Sequence, residues 1–105
     1  MILVHIAIRK KKDAKVIAKL LLAQNLIFSA SIATKKIFEK NPSTDEIEYR
    51  RQTIITGKTK ALLFNTINEL LRNKYPDNMP MVYAVPIIYM DSEQTQLLRN
   101  QTAKV

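Results

Sequence analysis

The feature that most constrains the fold is an apolar stretch near the end of the chain, residues 81–89, which follows a loop rich in proline. In a strand, successive side chains alternate, so Met81, Tyr83 and Val85 share one face and Val82 lies on the other. Both faces are therefore apolar, and both need cover. Two helices cover one face of a small sheet, so we expect the second face to pack against another copy of the chain.

The preceding residues supply the other elements of a small α+β domain. Strands are predicted over residues 2–8, 26–37 and 46–56, and helices over residues 14–24 and 60–74. Right-handed crossovers favour a ferredoxin-like βαββαβ arrangement of one domain, residues 1–105. Its antiparallel sheet has the order 4-1-3-2, with two helices on one face and a short C-terminal helix after Asp91.

Local signals predict where these elements begin and end. Asp13 and Thr59 are expected to cap the two helices, because their side chains can accept hydrogen bonds from free amides. Gly57, the only glycine, is expected to break the chain before the second helix. Asn25 tolerates the left-handed conformation that ends a helix. Residues 101–105 are expected to be frayed.

Composition excludes several classes of protein. The chain has no cysteine, so disulfides and thiolate chemistry are absent. No apolar run approaches the roughly 18 residues of a membrane span, and no signal-peptide pattern opens the sequence. We therefore expect a cytoplasmic protein that does not enter a membrane.

The net charge of +8 is concentrated near the start of the chain, where residues 9–19 hold six cations against Asp13. Such a run is typical of a solvated surface, but the predicted topology also favours an anion site. The end of the first strand, the hairpin tip and the loop after the second helix are expected to meet at one edge, where the free amides of a helix attract anions. The residues gathered there would be Arg9, Lys10, Lys11, Lys12, Lys40, Lys74 and Tyr75.

Several segments together resemble a known family. Residues 75–80, Y-P-D-N-M-P, and residues 82–87, V-Y-A-V-P-I, look like the H-P-Y-E-x-P and A-x-P-I segments of the divalent-cation tolerance (CutA) family. Lys58-Thr59 matches the family's K-T, and residues 25–32 align with its R-L-A-A-C-V-N-I. The resemblance covers nearly the whole chain and implies a ferredoxin-like fold, a tight trimer, and a role in binding or tolerating copper and other divalent cations.

The chain departs from the family where metal ligands are expected. Ser29 stands at the family's cysteine, Tyr75 at its histidine and Asn78 at its glutamate. Hydroxyl and amide oxygens are poor ligands for copper, so we expect metal binding to be weak or lost. The family-motif positions carried over are Ser29, Lys58, Thr59, Tyr75, Pro76, Asn78, Pro80 and Pro86.

His5 is the only histidine and lies on the face of the first strand away from the helices. A lone histidine of this kind is most often a hydrogen-bonded packing residue. The alternative is a copper or zinc ligand, if a three-fold axis gathers three copies. No cofactor is otherwise predicted. The sequence has no glycine-rich phosphate loop and no activated nucleophile, so we do not expect an enzyme.

The favoured function is therefore a CutA-like, non-enzymatic homotrimer related to divalent-ion tolerance. A first alternative is a trimeric sensor of small anions that resembles the nitrogen-regulatory PII proteins, an analogy of architecture alone. A second alternative is a nucleic-acid-binding module, because RNA-recognition motifs share this fold. The second is disfavoured because the first strand has no aromatic residue of the kind those motifs display and the RNA-recognition signature is absent.

Overall fold

A computed structural model of the chain describes residues 1–104 and contains a four-stranded antiparallel sheet in the order β2-β3-β1-β4. This is the predicted ferredoxin-like topology, 4-1-3-2, which is confirmed. The elements in chain order are β1 (Ile2–Ile8), α1 (Lys11–Ala23), β2 (Ser29–Lys40), β3 (Ile47–Thr59), a 3₁₀ turn (Ala61–Leu63) continuing into α2 (Phe64–Lys74), β4 (Met81–Pro86) and α3 (Ser92–Gln101).

The core lies between one face of the sheet and the helices α1 and α2. Ile6 of β1 pairs with Ile55 of β3, and both side chains are buried beneath the helices. Helix α1 contributes Ile17 and Leu21 at a spacing of four residues, which places both on one face. Among residues 1–104, no helix is both long enough and apolar enough to cross a membrane.

Strand β3 is longer than the sequence predicted, and Gly57 does not break the chain. Gly57 lies inside β3 and pairs with Val4 of β1. A Cβ at this position would lie 3.0 Å from Cγ2 of the buried Ile27. The absence of a side chain therefore lets the segment before β2 pack closely on the sheet, and the expected break was a wrong interpretation.

Neither predicted helix cap forms. Thr59 is the last residue of β3, and its buried hydroxyl donates a 2.7 Å hydrogen bond to the carbonyl of Leu26. Asp13 lies in the first turn of α1, whose N-cap is Lys10, without a side-chain hydrogen bond. By contrast, the C-terminal helix predicted after Asp91 is present as α3, and Asp91 caps it, since its carboxylate accepts from the backbone N–H of Gln94 at 3.1 Å.

The residues after α3 are held in place, contrary to the expected fraying. The backbone N–H of Ala103 donates to the carbonyl of Asn25 at 2.7 Å. The ammonium group of Lys60 donates to the carbonyls of Thr102 and Ala103 at 3.3 and 2.9 Å. Asn25 has the predicted left-handed conformation, with φ 57°. Val105 lies outside the described residues.

Strand β4 ends at Pro86, three residues earlier than predicted. Proline lacks the N–H that would continue a ladder, and beyond it Ile88 and Tyr89 are almost fully exposed. On the face of the sheet away from the helices, which we call the open face, Met81, Tyr83 and Val85 are also exposed. The described residues of one protomer therefore leave the open face exposed. The sequence predicted that another copy of the chain would cover it.

The hairpin of β2 and β3 extends well beyond the other strands. Pairing of β3 with β1 stops at Thr53, whereas its pairing with β2 continues for six more residues to Ile47. We call residues 35–40 and 47–52 the overhanging ribbon; it projects about 20 Å at 3.3 Å per residue. The radius of gyration, 15.2 Å, exceeds the roughly 13 Å of a compact chain of this length.

Candidate functional site

A cleft of about 590 Å³ opens at the end of β1, where the overhanging ribbon leaves the rest of the sheet. One wall is formed by the end of β1 and the start of α1. The second is the part of the overhanging ribbon nearest to β1, and the third is the loop between α2 and β4. Its lining residues are Ala7, Ile8, Arg9, Lys10, Asp13, Arg50, Gln52, Tyr75, Asp77, Asn78, Met79, Pro80 and Met81.

The lining of the cleft combines apolar side chains, such as Ile8, Met79 and Met81, with charges of both signs. Arg9, Lys10 and Arg50 are cationic, whereas Asp13 and Asp77 are anionic. Helix α1 begins beside the cleft with no side-chain cap, so the partial positive charge of its first turn adds to the cations. The cations are therefore in excess, but a ligand here would also meet two carboxylates.

Tyr75 supplies a hydroxyl group that stays protonated. Burial raises the pKa of Tyr75 above its ordinary value of 10.0, and the negative charge of Asp13 raises it further. The ammonium group of Lys74 lies 5.8 Å from the centre of the Tyr75 ring, which is a cation–π distance. Tyr75 can therefore donate or accept a hydrogen bond in the cleft as a neutral phenol.

The structure brings together only some of the residues predicted for the anion site. Arg9, Lys10 and Tyr75 line the cleft. The exposed residues Lys11, Lys12 and Lys74 do not line it. Lys40 is also remote, because it lies at the far end of the overhanging ribbon, about 20 Å along the strand from the end of β1.

Sequence reasoning missed the contribution of β3 and of Asp77. Arg50 and Gln52 line the cleft because β3 continues past the end of β1. The predicted strand, residues 46–56, included both residues, but its register against β1 was not predicted. Arg50 also forms an ion pair with Glu39 of β2, with 3.0 Å between the nitrogen and the oxygen. The sequence signal that could have identified Arg50 is the pair Arg50-Arg51. Because successive side chains of a strand point to opposite faces, one of the two arginines must lie on each face of the sheet.

The family-motif positions fall into two groups at opposite ends of β1. Ser29 pairs with Lys58, which pairs with Leu3 near the start of β1. Tyr75 and Asn78 line the cleft beside Ile8, about 17 Å farther along at 3.3 Å per residue. The other positions follow the same division: Thr59 and Pro86 are near the start of β1, and Pro76 and Pro80 are in the loop before β4.

His5 lies on the open face, in the middle of the sheet. Its Nδ1 is 3.3 Å from the Thr56 hydroxyl oxygen, and its ring stacks on Tyr83 with the centroids 4.9 Å apart. The side chain is half-buried and has partners on both neighbouring strands. Within residues 1–104, no three His, Cys, Asp or Glu side chains come together as a metal site.

The fold and the cleft define a class: ferredoxin-like α+β proteins with a ligand-sized cleft at the edge of the sheet. The family model described as CutA1 divalent ion tolerance protein matches residues 2–101. The chain therefore belongs to the CutA1 divalent ion tolerance family, and the resemblance seen in the sequence is confirmed.

Solved structures of CutA proteins share this fold. CutA1 from Pyrococcus horikoshii superposes with a TM-score of 0.85 at 20% identity, covering 99% of this chain and 100% of that one. The periplasmic divalent cation tolerance protein CutA from Archaeoglobus fulgidus gives 0.81 at 22% identity, covering 96% and 98%. CutA from Synechococcus elongatus, complexed with a Bis-Tris molecule, gives 0.82 at 15% identity, covering 95% and 91%. A search of curated proteins found no match.

Proposed function

We propose that this CutA1-family protein is a non-enzymatic homotrimer that binds a small anionic molecule in the cleft at the end of β1, and that its binding of divalent cations is weak. The observation that carries the proposal is the convergence of Arg9, Lys10 and Arg50 beside the uncapped start of α1. A cytoplasmic location stays a prediction, and the Archaeoglobus relative is described as periplasmic.

The charges of the cleft favour a ligand with a carboxylate or phosphate group at one end. A guanidinium group binds such oxygens through paired, charge-assisted hydrogen bonds, and the first-turn amides of α1 add further donors. Asp13 and Asp77 would repel a ligand that is negative along its whole length. We therefore expect the anionic end to lie against the arginines and an uncharged or cationic end to lie near the carboxylates.

The trimer is supported by apolar surfaces that one protomer leaves uncovered. Met81, Tyr83 and Val85 are 63%, 45% and 42% exposed on the open face. Strands β2 and β4 are both edge strands, and unpaired edges favour association with another chain. A closed cyclic assembly covers such faces and edges in every copy, and three copies match the arrangement implied by the family resemblance.

Weak metal binding is supported by the chemistry of the side chains at the family-motif positions. Ser29, Tyr75 and Asn78 offer oxygen atoms, whereas copper and zinc prefer thiolate and imidazole ligands. Ser29 also lies far from the other two within a protomer. His5 offers an imidazole, and a shared site would require copies of His5 to meet in the assembly.

Calorimetric titration with a panel of nucleotides and dicarboxylates tests the anion site. We expect binding by the wild type, at least tenfold weaker binding by Arg50→Gln, and unchanged binding by Arg51→Gln. Arg51 is the matched control, because it is the adjacent arginine on the same strand and points to the opposite face. Equal losses in both variants, or no binding to any member of the panel, would overturn the anion site.

Two measurements test the remaining parts of the proposal. Light scattering should give about 36 kDa, three times the 12.1 kDa protomer, and a mass near 12.1 kDa would exclude the trimer. Titration with Cu(II), Cu(I) and Zn(II) should show no tight stoichiometric binding. Submicromolar binding that survives His5→Ala would contradict weak metal binding and identify ligands other than imidazole.

A further inference from the structure

Helix α1 presents a stripe of three lysines to solvent. Lys12, Lys15 and Lys19 fall within about 60° of one another on a helical projection at 100° per residue. They lie opposite Ile17 and Leu21, which are fully buried against the sheet. All three lysines are exposed, and we call them the α1 stripe.

Among the three helices, α1 has the largest excess of positive charge, with four lysines against Asp13. The overhanging ribbon is also basic, but its cations are interspersed with Glu39 and Glu48. Helix α2 carries Glu69 as well as two cations in its last turn, Arg72 and Lys74, so its positive charge is partly offset. Helix α3 balances Glu93 with Arg99. Within residues 1–104 the single ion pair joins Arg50 and Glu39 in the ribbon, so no carboxylate forms an ion pair with the α1 stripe.

We propose that the α1 stripe binds the phosphodiester backbone of a nucleic acid without reading its bases. Lys12 and Lys19 are seven residues apart, which is about 10.5 Å along the helix axis at 1.5 Å per residue. One strand of a duplex presents a phosphate about every 3.4 Å of axis, or about three phosphates over that length. Three lysines therefore face a comparable number of phosphates, and each ammonium can contact one of them.

The surroundings of the stripe favour a nucleic acid over an anionic membrane. A helix that lies on a bilayer inserts its apolar face among the lipids, but the apolar face of α1 is buried against the sheet. Only Val16 and Leu22 are exposed large apolar residues of this helix, at 49% and 39%. The helix has no aromatic side chain on which a base could stack, so the contact is with phosphates and is independent of sequence.

This surface differs from the one that RNA-recognition motifs use. Those domains stack bases on aromatics of the central strands, whereas the open face here has no Phe, Tyr or Trp on β1 or β3. The α1 stripe lies on the helical side instead. Its use is therefore compatible with an assembly that covers the open face, and several copies in one assembly would strengthen binding through multivalency.

The test is binding of a fluorescein-labelled 20-base-pair DNA duplex, followed by anisotropy at several salt concentrations. Three phosphate contacts give a slope of about −2.7 for log K against log salt, or roughly a 40-fold loss between 50 and 200 mM. The variant Lys12→Gln, Lys15→Gln, Lys19→Gln should lose most of the affinity and bring the slope close to zero.

The matched control is Arg72→Gln, Arg99→Gln, Lys104→Gln, which also removes three exposed cations but leaves the stripe intact. We expect it to keep the wild-type slope and to bind within a few-fold of the wild type. Equal weakening of both triple variants would mean that net charge alone attracts the duplex, and would overturn the assignment. Absence of duplex binding, or tighter binding to vesicles containing anionic lipid at the same salt concentration, would also overturn it.

Discussion

The two halves of strand β3 have the same backbone pairing with β2 but very different surroundings. From Thr53 to Thr59 the strand also pairs with β1, and Ile54, Ile55 and Gly57 are buried. From Ile47 to Arg51 it pairs with β2 alone, and every residue is exposed. One continuous hairpin is therefore supported by a hydrophobic core at one end and by solvent-exposed side chains at the other.

This difference implies that hydrogen bonding to β2 is the main support of the ribbon within one protomer. An isolated two-stranded ribbon is marginally stable in water. The ribbon nevertheless carries apolar side chains, with Phe38, Ile47 and Tyr49 60–76% exposed and the rings of Phe38 and Tyr49 5.7 Å apart. Exposed apolar side chains that cluster in this way are typical of an interaction surface, which the proposed trimer would cover with another copy of the chain.

The largest expected effect is at the buried end of the strand. Ile55 is fully buried between the sheet and the helices, so Ile55→Ala should lower the free energy of unfolding by about 2–5 kcal/mol. Denaturant unfolding at fixed protein concentration measures this loss. A cost below about 1 kcal/mol would mean that the core beneath the helices is not the main support of the hairpin.

The matched change at the exposed end is Tyr49→Ala. If the assembly covers the ribbon, this variant should shift the mass measured by light scattering toward 12.1 kDa on dilution. Wild-type protein at the same concentration should remain assembled. An unchanged mass at every concentration would show that the ribbon contributes little to association, although the open face could still do so.

A smaller effect is expected at Gly57, which lies in the buried half of the strand. The methyl group of Gly57→Ala would lie 3.0 Å from the side chain of Ile27, which is 3% exposed and has little room to move. Overpacking of this kind costs about 1–3 kcal/mol. Thermal unfolding measures it, and the double variant Gly57→Ala, Ile27→Val should recover part of the loss because the shorter valine side chain removes a carbon atom from the contact.

The smallest effect is expected from the ion pair of the ribbon. Glu39 and Arg50 are about half exposed, and pairs of this kind contribute about 0–1 kcal/mol. Glu39→Gln should therefore change the free energy of unfolding by less than about 1 kcal/mol, and high salt should remove the difference. A loss of several kcal/mol would place the pair in a buried interface and reverse the contrast between the two ends.

The parts of the fold that the sequence predicted are those with strong local periodicity. The apolar alternation of β1 and the helical spacing of Ile17 and Leu21 identified their elements, and the crossover rule then determined the order of the strands. The ends of elements were harder to predict. Thr59 has the chemistry of a helix cap, but a buried hydrogen bond to Leu26, 33 residues away, determines its place.

The candidate site was predicted only in part for a related reason. Arg9, Lys10 and Tyr75 follow directly from the ends of β1 and α2, so the topology placed them together. The position of Arg50 depends on the pairing register of β3, because a shift of one residue would send Arg51 to the cleft side instead. Register depends on side chains distant in sequence, and a single sequence does not display those pairings.

The anchoring of residues 102 and 103 has a consequence for synthesis on the ribosome. The carbonyl of Asn25 and the ammonium group of Lys60 form hydrogen bonds with residues 102 and 103, which are translated after all the strands and helices described above. Helix α3 ends at Gln101, directly before these residues, so the loop after α1 and Lys60 gain these hydrogen bonds only after residues 102 and 103 have emerged from the ribosome. A chain released after Gln101 would lack these hydrogen bonds, and its loop after α1 would be expected to be more accessible to proteases.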